Sequence, residues 1–231
     1  MTRTTSTPPL TLLILLAMIM ACSAPASGQA DPPRSAPASA PSKPDGTLKA
    51  DPPPKGLEVA TFAGGCFWCM ETPFEKINGV KSVLSGYIGG KERAPTYHQV
   101  GSGATGHTEA VQILFDPALV SYDKLLDIFW RSMDPTDAGG QFVDRGPQYR
   151  PAIFAHGKAQ RASAEASKAA LIKSGRFDKP VIVPVEEAGD FWIAEDYHQD
   201  FYLKNPPRYN GYRRGSGRDA FIERIWGTSA H

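Results

Sequence analysis

"LEVATFAGGCFWCMETPFEKI", residues 57–77, changes from a strand pattern to a helix pattern at a pair of glycines. Its first nine residues, 57–65, predict a β-strand that ends at those glycines. The remainder predicts a helix over 67–77, because large apolar side chains recur at helical spacing. Pro73 predicts a broken or short first turn in this helix. The apolar side chains are Phe67, Met70, Phe74 and Ile77.

The chain continues with patterns of the same two kinds, and their order predicts the fold. The elements run β-α-β-β-α-β-α-β-α, and the first six match the split βαβ pattern of ferredoxin-like folds. We therefore expect an α/β (α+β, two-layer) domain over 57–231, with a ferredoxin-like βαββαβ core, a mixed sheet and an added helix–strand–helix. The Gly- and Arg-rich end, including 213–218, is expected to wrap over the surface as a solvated tail. Beyond residue 77, strands are expected at 80–90, 107–117, 149–156 and 179–188, and helices at 121–133, 157–175 and 194–205.

Composition sets broad limits on the class of protein. The 231 residues carry a formal net charge of +1, with 21% charged and 41% hydrophobic residues. This balance is ordinary for a globular domain and gives no general attraction to nucleic acid or to a membrane surface. We therefore expect no nucleic-acid partner. A single domain of this size can bury a proper core.

The N-terminus carries a targeting pattern. Residues 10–21 form an almost unbroken apolar run preceded by Arg3, too short to span a bilayer and typical of a signal-peptide core. Cys22 follows Ala21, as at the lipidation site of bacterial lipoprotein signals, and ordinary cleavage nearby is the alternative. We expect residues 1–22 to be a signal peptide of the lipoprotein type.

Residues 23–56 are rich in proline, alanine and serine and contain no aromatic residue. Such a segment cannot bury enough apolar surface to offset the entropy of ordering it. It is therefore expected to be a disordered tether. Together with the signal peptide, it predicts an exported protein, periplasmic or in the cell envelope, that is anchored to a membrane through lipid at Cys22.

Cys66 and Cys69 form a C-x-x-C pair in the expected domain, and three uses are open to it. A tetrahedral zinc site needs four ligands, of which the pair supplies two, and we predict no metal. A structural disulfide over so short a loop gains little stability. As a reactive thiol, Cys66 at the opening of a helix is favoured as a thiolate with a lowered pKa. Cys69, one turn further, can attack it once it is oxidised, so the motif favours redox chemistry.

At "GGCFWCME", residues 64–71, the sequence closely resembles the active-site motif of peptide-methionine (S)-S-oxide reductases, the A-type methionine sulfoxide reductases. The likeness continues in the family's order over nearly all of 57–210. The resemblance implies reduction of methionine S-sulfoxide, free or in oxidised proteins, to methionine, without an organic cofactor. The further matching blocks are "SGYIGG" (85–90), "PTYHQV" (95–100), "TGHTEAVQILFDP" (105–117), "DRGPQYRPAIF" (144–154) and "AEDYHQDFYLKNP" (194–206).

The same resemblance implies roles for individual residues. Cys66 is the nucleophile that attacks the sulfoxide sulfur and becomes a sulfenic acid, and Glu109 is the proton donor to the sulfoxide oxygen. A carboxyl group in a low-dielectric pocket has the raised pKa that this task needs. The assisting residues are Tyr97 and Tyr149 as hydrogen-bond donors to that oxygen, Asp144 as an orienting acid, and Phe67 and Trp68 as the apolar wall around the S-methyl group.

Many members of the family place a resolving cysteine in the C-terminal tail, whereas residues 205–231 of this sequence contain none. Cys69 is therefore the expected resolving residue, giving a Cys66–Cys69 disulfide that a thioredoxin-like donor reduces. If Cys69 cannot reach Cys66, an external thiol must reduce the sulfenic acid instead. Two other functions stay open: a thiol–disulfide exchange enzyme, which has no use for Glu109, and a tethered binding protein with a structural bridge.

Overall fold

The computed structural model describes residues 47–227. The expected signal peptide with Cys22, and residues 23–46 of the expected tether, lie outside the described residues and stay predictions. Within the described range, none of the helices combines the length and the apolar composition needed to cross a bilayer.

Residues 47–227 form a sheet flanked by helices, with a short hairpin beside it. The strands are β1 (Leu48–Lys49), β2 (Glu58–Ala63), β3 (Val80–Ile88), β4 (Thr108–Phe115), β5 (Gly140–Gln141), β6 (Asp144–Arg145), β7 (Ala152–Ala155), β8 (Val185–Glu187) and β9 (Trp192–Ile193). The helices are α1 (Phe67–Glu75), α2 (Tyr97–Gly101), α3 (Tyr122–Arg131), α4 (Lys158–Lys173), α5 (Phe201–Lys204), α6 (Pro206–Gly215) and α7 (Arg218–Trp226), with a 3-10 turn at Pro147–Tyr149.

The centre of the sheet has the ferredoxin-like order. Four antiparallel strands lie side by side as β3-β4-β2-β7. Helices α1 and α3 occupy the two helix positions of the βαββαβ pattern, and the short α2 is inserted between β3 and β4. The added helix α4 leads to β8, which pairs with β7 in parallel and makes the sheet mixed. On the opposite edge, β9 and β1 extend β3. The expected fold class, core and mixed sheet are therefore confirmed.

Apolar packing between the sheet and its helices fixes α1 and α3 in place. Phe62, near the end of β2, stacks on Phe74 of α1 at 5.7 Å and on Phe129 of α3 at 4.9 Å between ring centroids. The α3 helix begins where expected, because the hydroxyl oxygen of Ser121 accepts a hydrogen bond from the Lys124 N–H at 3.2 Å. The rings attach α1, and the cysteines on it, firmly to the sheet.

The expected break of α1 at Pro73 is wrong, because the helix runs unbroken from Phe67 to Glu75. A proline in this position has no N–H to donate to the carbonyl four residues earlier, which belongs to Cys69. Nη1 of Arg213 donates to that carbonyl instead, at 3.2 Å. A side chain from α6 thus replaces the missing helical hydrogen bond.

The expected strands next to proline are shorter than predicted. The strand expected at 149–156 is confined to β7, and the one at 179–188 is confined to β8. Pro151 and Pro184 stand just before these strands, and proline cannot donate to a sheet ladder. The truncation moves Tyr149 out of the sheet and into the 3-10 turn.

The expected tether ends earlier than residue 56. Leu48 and Lys49 pair with β9, and the Ala50 N–H donates to the Phe191 carbonyl at 2.9 Å. Thr47 is buried, and its hydroxyl donates to the Pro95 carbonyl at 2.9 Å. Exposed Leu48 shows that backbone pairing, rather than apolar burial, holds this segment.

The C-terminal part differs most from expectation. The helix expected at 194–205 is only the short α5, and residues 206–226 form α6 and α7 instead of a surface wrap. Arg218, expected in a solvated tail, has a side chain only 1% exposed. The two unpredicted helices lie against the cysteine-bearing end of α1, as Arg213 and Arg218 show.

Candidate active site

Cys66 stands where β2 turns into α1, and Gly65 makes that turn possible. Gly65 has φ +86, and an added Cβ would lie 2.5 Å from Cβ of Gln141, so a side chain there is excluded by both backbone and space. Cys66 is the N-cap residue of α1 and Cys69 lies one turn further. Both thiols are free and both are buried, at 7% and 1% exposure.

The two thiols interact, and their electrostatics differ from the expectation. Burial raises the pKa of the Cys66 thiol, and its hydrogen bond to Cys69 raises it further. The pKa of Cys69 is lowered to about 7, first by the hydrogen bond from Cys66 and then by the charges of Arg218 and Arg213. The expected lowering of the pKa at Cys66 is therefore wrong: the first thiolate of the pair is favoured on Cys69.

Glu109 lies beside the nucleophile, on β4, and is 2% exposed. Its Oε2 accepts a hydrogen bond from the Phe67 N–H, the first free N–H of α1, at 3.0 Å. Burial is the main cause that raises the pKa of this carboxyl to about 8, against the lowering effect of that hydrogen bond, and the charge of Asp144 adds to the rise. At neutral pH the group therefore carries a proton next to Cys66.

Tyr97 lies in α2 and Tyr149 in the 3-10 turn, and both side chains are half-buried. Burial raises the pKa of both hydroxyls, and the charges of Glu109 and Cys66 add to both shifts. The two hydroxyls therefore stay protonated donors. The hydroxyl of Thr108 donates to the carbonyl of Gln148 at 3.0 Å, which ties the turn holding Tyr149 to β4.

Asp144 belongs to the β5–β6 hairpin, and its carboxylate accepts a hydrogen bond from the Tyr212 hydroxyl. Burial raises the pKa of Asp144, while the Tyr212 hydrogen bond and the charge of Arg218 oppose the rise. The charge of Asp144 in turn affects the pKa of Cys66, Glu109 and both tyrosines. The structure thus brings all five expected catalytic residues within electrostatic range of one another.

The two aromatic residues after Cys66 are differently placed. Phe67 is 1% exposed, with ring contacts to His198 at 4.9 Å and to Tyr87 at 5.9 Å. Trp68 is half-buried, stacks on Phe201 at 3.7 Å and donates from Nε1 to Nδ1 of His198 at 3.2 Å. Phe67 is chiefly a buried support, and Trp68 is the more accessible part of the expected wall.

Several residues of the site were not identified from the sequence. Glu195 accepts from the Tyr97 N–H at 2.8 Å and from the Tyr87 hydroxyl at 2.9 Å, which fixes the start of α2. Burial lowers the pKa of His198 to about 4, so this ring between Phe67 and Tyr97 is neutral. Glu195 and His198 both lie in the block 194–206 that matches the family, so the sequence could have identified them as site residues. The others, Tyr212, Arg213 and Arg218, lie beyond it, where nothing in the sequence pointed to the site.

One group of side chains in residues 47–227 has the spacing of cation ligands: carboxylate oxygens of Glu71, Glu75 and Asp200 lie within 4.8 Å of one another. Asp200 N–H donates to Glu71, and the Tyr202 hydroxyl donates to Glu75. Burial raises the pKa of Glu71 to about 8, so a proton relieves the repulsion. Neither cysteine belongs to this group.

This site can be compared with known proteins. The family model described as peptide methionine sulfoxide reductase matches residues 58–230. The chain belongs to this family. A buried cysteine at a helix start, with a protonated carboxyl beside it, is thus found in a chain whose family is defined by sulfoxide reduction.

Relatives and solved structures agree with this membership. A peptide methionine sulfoxide reductase MsrA from Listeria innocua is 58% identical over 172 residues, 74% of this chain and 97% of that protein. MsrA 2 from Staphylococcus aureus is 56% identical over 171 residues, with coverage of 74% and 97%. The fold is similar to the crystal structure of reduced Mxr1 from Saccharomyces cerevisiae, with TM-score 0.61, 31% identity and coverage of 66% and 88%. Methionine sulfoxide reductase A of Corynebacterium diphtheriae gives TM-score 0.57, 32% identity and coverage of 66% and 77%.

Proposed function

We propose that this chain reduces methionine S-sulfoxide to methionine, with Cys66 as nucleophile, Glu109 as proton donor and Cys69 as resolving thiol. The carrying observation is the contact between Glu109 and the Phe67 N–H, because it places a protonated carboxyl beside the Cys66 thiol. Methionine sulfoxide reductases handle one epimer per enzyme class, and the resemblance of residues 64–71 to the A-type enzymes supports the S epimer for this chain.

In the first step the Cys66 sulfur attacks the sulfoxide sulfur. The sulfoxide oxygen is a poor leaving group until it is protonated, and Glu109 supplies that proton. Tyr97 and Tyr149 donate hydrogen bonds to the same oxygen without bringing a charge into a buried site. The oxygen passes to Cys66 as a sulfenic acid, methionine leaves, and the proton of the Cys66 thiol replaces the one that Glu109 gave. The substrate's sulfur gains the two electrons that the Cys66 sulfur loses.

In the second step Cys69 attacks the sulfenic sulfur of Cys66. A sulfur–sulfur bond forms, the sulfur–oxygen bond breaks, and the oxygen leaves as water with a proton from the site. The free thiols lie one helical turn apart and share a hydrogen bond, a spacing that a disulfide can bridge. A thioredoxin-like dithiol then reduces this disulfide by exchange.

We further propose that the enzyme works outside the cytoplasm on a lipid anchor. The support is the apolar run at 10–21 followed by Cys22, and the proline-rich stretch behind it. Incorporation of labelled palmitate into the full chain, and its loss in Cys22→Ala, is the expected outcome in a bacterial host. Unlabelled wild-type protein found free in the periplasm would contradict the proposed lipid anchor but would still support export.

The test of the reaction is single-turnover reduction of both methionine sulfoxide epimers by the reduced chain, with methionine and free thiols counted. We expect about one equivalent of methionine from the S epimer only, together with the loss of two thiols. In Cys69→Ser, methionine should still form while Cys66 stays a sulfenic acid that a dimedone probe captures.

Other outcomes separate the alternatives. Methionine formed without paired thiol loss in the wild type would assign reduction of Cys66 to an external thiol. Absence of methionine from either epimer, together with reduction of insulin disulfides that survives Glu109→Gln, would identify a thiol–disulfide exchange enzyme instead.

A further inference from the structure

The proposed chemistry leaves the buried cation Arg218 unexplained. Its side chain is 1% exposed, its Nη1 donates to the Ser132 carbonyl at 2.6 Å, and its Nη2 donates to the Gly64 carbonyl at 3.0 Å. Its Nε is buried without a hydrogen-bond partner. Among the described residues, no carboxylate forms a salt bridge with it. A buried charge without a counter-charge is costly, so an anion is expected close to this guanidinium.

The guanidinium lies under the turn that carries both cysteines. Its Nη2 is 2.9 Å from the position that a Cβ on Gly65 would take, directly before Cys66. Its Nη1 is 3.7 Å from Sδ of Met70, directly after Cys69. Two anion-forming groups are thus within electrostatic range of this cation: the thiol pair on α1, and Asp144 on the β5–β6 hairpin.

A second arginine reaches Cys69 from α6. Nη1 of Arg213 donates to the Cys69 carbonyl at 3.2 Å, and Nε pairs with Asp219 at 2.7 Å. The side chain of Arg213 is only 13% exposed, so water screens its charge weakly. Cys69 is consequently within electrostatic range of two cations, although its own helix contributes neither of them.

We propose that Arg213 and Arg218 are positioning residues that hold Cys69 as the thiolate of the pair, ready to attack the oxidised Cys66. This inference rests on the proposed function of Cys69 as the resolving thiol. The thiolate supplies the electron pair for the new sulfur–sulfur bond, and the hydroxyl of the sulfenic acid departs as water with the proton of Glu109. The two cations replace the base that a neutral thiol would need.

The other charged and titratable groups around Cys69 either disfavour its thiolate or are neutral at pH 7. Asp144, on the β5–β6 hairpin, disfavours a thiolate, but burial raises its pKa and the Tyr212 hydroxyl already occupies it. Glu109 is protonated at neutral pH, and burial keeps the hydroxyls of Tyr209 and Tyr212 neutral by raising their pKa. The net balance leaves the pKa of Cys69 at about 7.

The test is a thiolate titration of the reduced full chain by absorbance at 240 nm from pH 5 to 10. Alkylation and mass spectrometry assign each thiolate to its residue. The variants are Arg213→Met, Arg218→Met and the charge-preserving Arg213→Lys and Arg218→Lys. The matched control is Arg214→Met, because this neighbouring arginine on α6 is exposed and its Nε donates within its own helix, to the Asn210 carbonyl.

The wild type should show its first thiolate on Cys69 with a midpoint near pH 7. Both methionine variants should move that midpoint to higher pH, the lysine variants should recover part of the shift, and Arg214→Met should leave it unchanged. Each unit of upward shift should slow paired-thiol loss below pH 7 by about threefold, since the smaller thiolate fraction is partly offset by greater nucleophilicity. Above pH 9, where Cys69 is ionised in the variants too, paired-thiol loss should no longer be slower than in the wild type.

A merely structural role for the arginines predicts a different pattern. Folded methionine variants with an unchanged midpoint, or a first thiolate on Cys66, would overturn the proposal. If Arg218→Met does not fold, then Arg213→Met and Arg218→Lys decide the matter. Methionine release in the same reactions reports the Cys66 step, so failure of the proposed function is seen as absent methionine in the wild type and is separate from an unchanged titration.

Discussion

Glu109 shows how position alone can prepare an ordinary carboxyl for acid catalysis. It lies in a strand whose side chains are almost all buried, and desolvation holds its proton up to about pH 8. The Phe67 N–H stabilises the ionised form that remains after proton transfer. The residue can therefore give up its proton during the reaction and still have a partner for the resulting charge.

Replacement of Glu109 by glutamine should slow methionine release by about 10²- to 10⁴-fold, the usual contribution of a general acid. The acid acts in its protonated form, so wild-type rates should fall as pH rises through about 8. The variant should lose this alkaline limb, and single-turnover rates from pH 6 to 9.5 measure both effects. Glu58→Gln, at the exposed start of β2, is the control. A Glu109→Gln profile with the wild-type limb would assign proton donation to another group.

The roles at the site could be predicted from the sequence, but their electrostatics could not. Cys66 and Glu109 were identified from motif blocks that match a known family. The lowered pKa expected for Cys66 from the helix N-terminus failed, because burial and the neighbouring thiol outweigh the helix dipole. Burial depends on which distant segments cover a residue, and in this molecule Arg213 and Arg218 come from helices that no pattern predicted.

Helix α1 owes its continuity to a contact outside itself. Pro73 leaves the Cys69 carbonyl without its helical donor, and Arg213 supplies one from 144 residues further along the chain. The sequence signal for a helix break was sound as local chemistry. It failed because local patterns do not contain tertiary hydrogen bonds.

Pro73→Ala should restore the helical hydrogen bond to the Cys69 carbonyl. We expect the free energy of unfolding to rise by about 1 kcal/mol, since interior helical proline is unfavourable while its loss frees the unfolded chain. Urea unfolding of both proteins measures the change. Pro207→Ala, in the first turn of α6 where proline is tolerated, should give no gain. Equal stability of Pro73→Ala and wild type would show that Arg213 already compensates fully.

Elements with strong periodicity were predictable, and those with few buried apolar side chains were not. The α3 helix has a Ser121 cap and a clear apolar face, and it was found where expected. The α6 and α7 helices both contain more than one arginine and bury few side chains: Tyr209 in α6, and Arg218 and Ile222 in α7. The sequence alone does not distinguish a buried arginine such as Arg218 from an exposed one.

The whole domain builds its site from six separate stretches of chain: α1, α2, β4, the β5–β6 hairpin with the following turn, residues 195–198, and α6–α7. The N-terminal strand β1 supports it indirectly. The Thr47 hydroxyl donates to the Pro95 carbonyl, two residues before Tyr97, and Glu195 accepts from the Tyr97 N–H. Both contacts come from segments next to β1 and β9, on the same edge of β3, and together they hold the start of α2.

A chain shortened to begin at residue 57, the boundary expected from composition, should be less stable than one beginning at residue 47. Loss of the Thr47 and Ala50 hydrogen bonds and of the β1–β9 pairing should cost about 1–3 kcal/mol in urea unfolding. The KM for methionine sulfoxide should rise, because Tyr97 loses a support. Thr47→Val in the longer chain isolates the hydroxyl. Identical stability and KM in both chains would show that β1 is an idle extension.

The dependence of α1 on Arg213 has a consequence for the order in which the enzyme is made. Synthesis delivers both cysteines and every strand of the sheet before it delivers α6 and α7. Until those helices dock, the Cys69 carbonyl lacks its donor, and Asp144 lacks Tyr212. Domains generally fold as units, so the catalytic centre stays unfinished until α6 and α7 have emerged, although both cysteines and the whole sheet precede them. Catalytic competence is the last property this polypeptide gains, and it arrives with the segment that looked least like part of an active site.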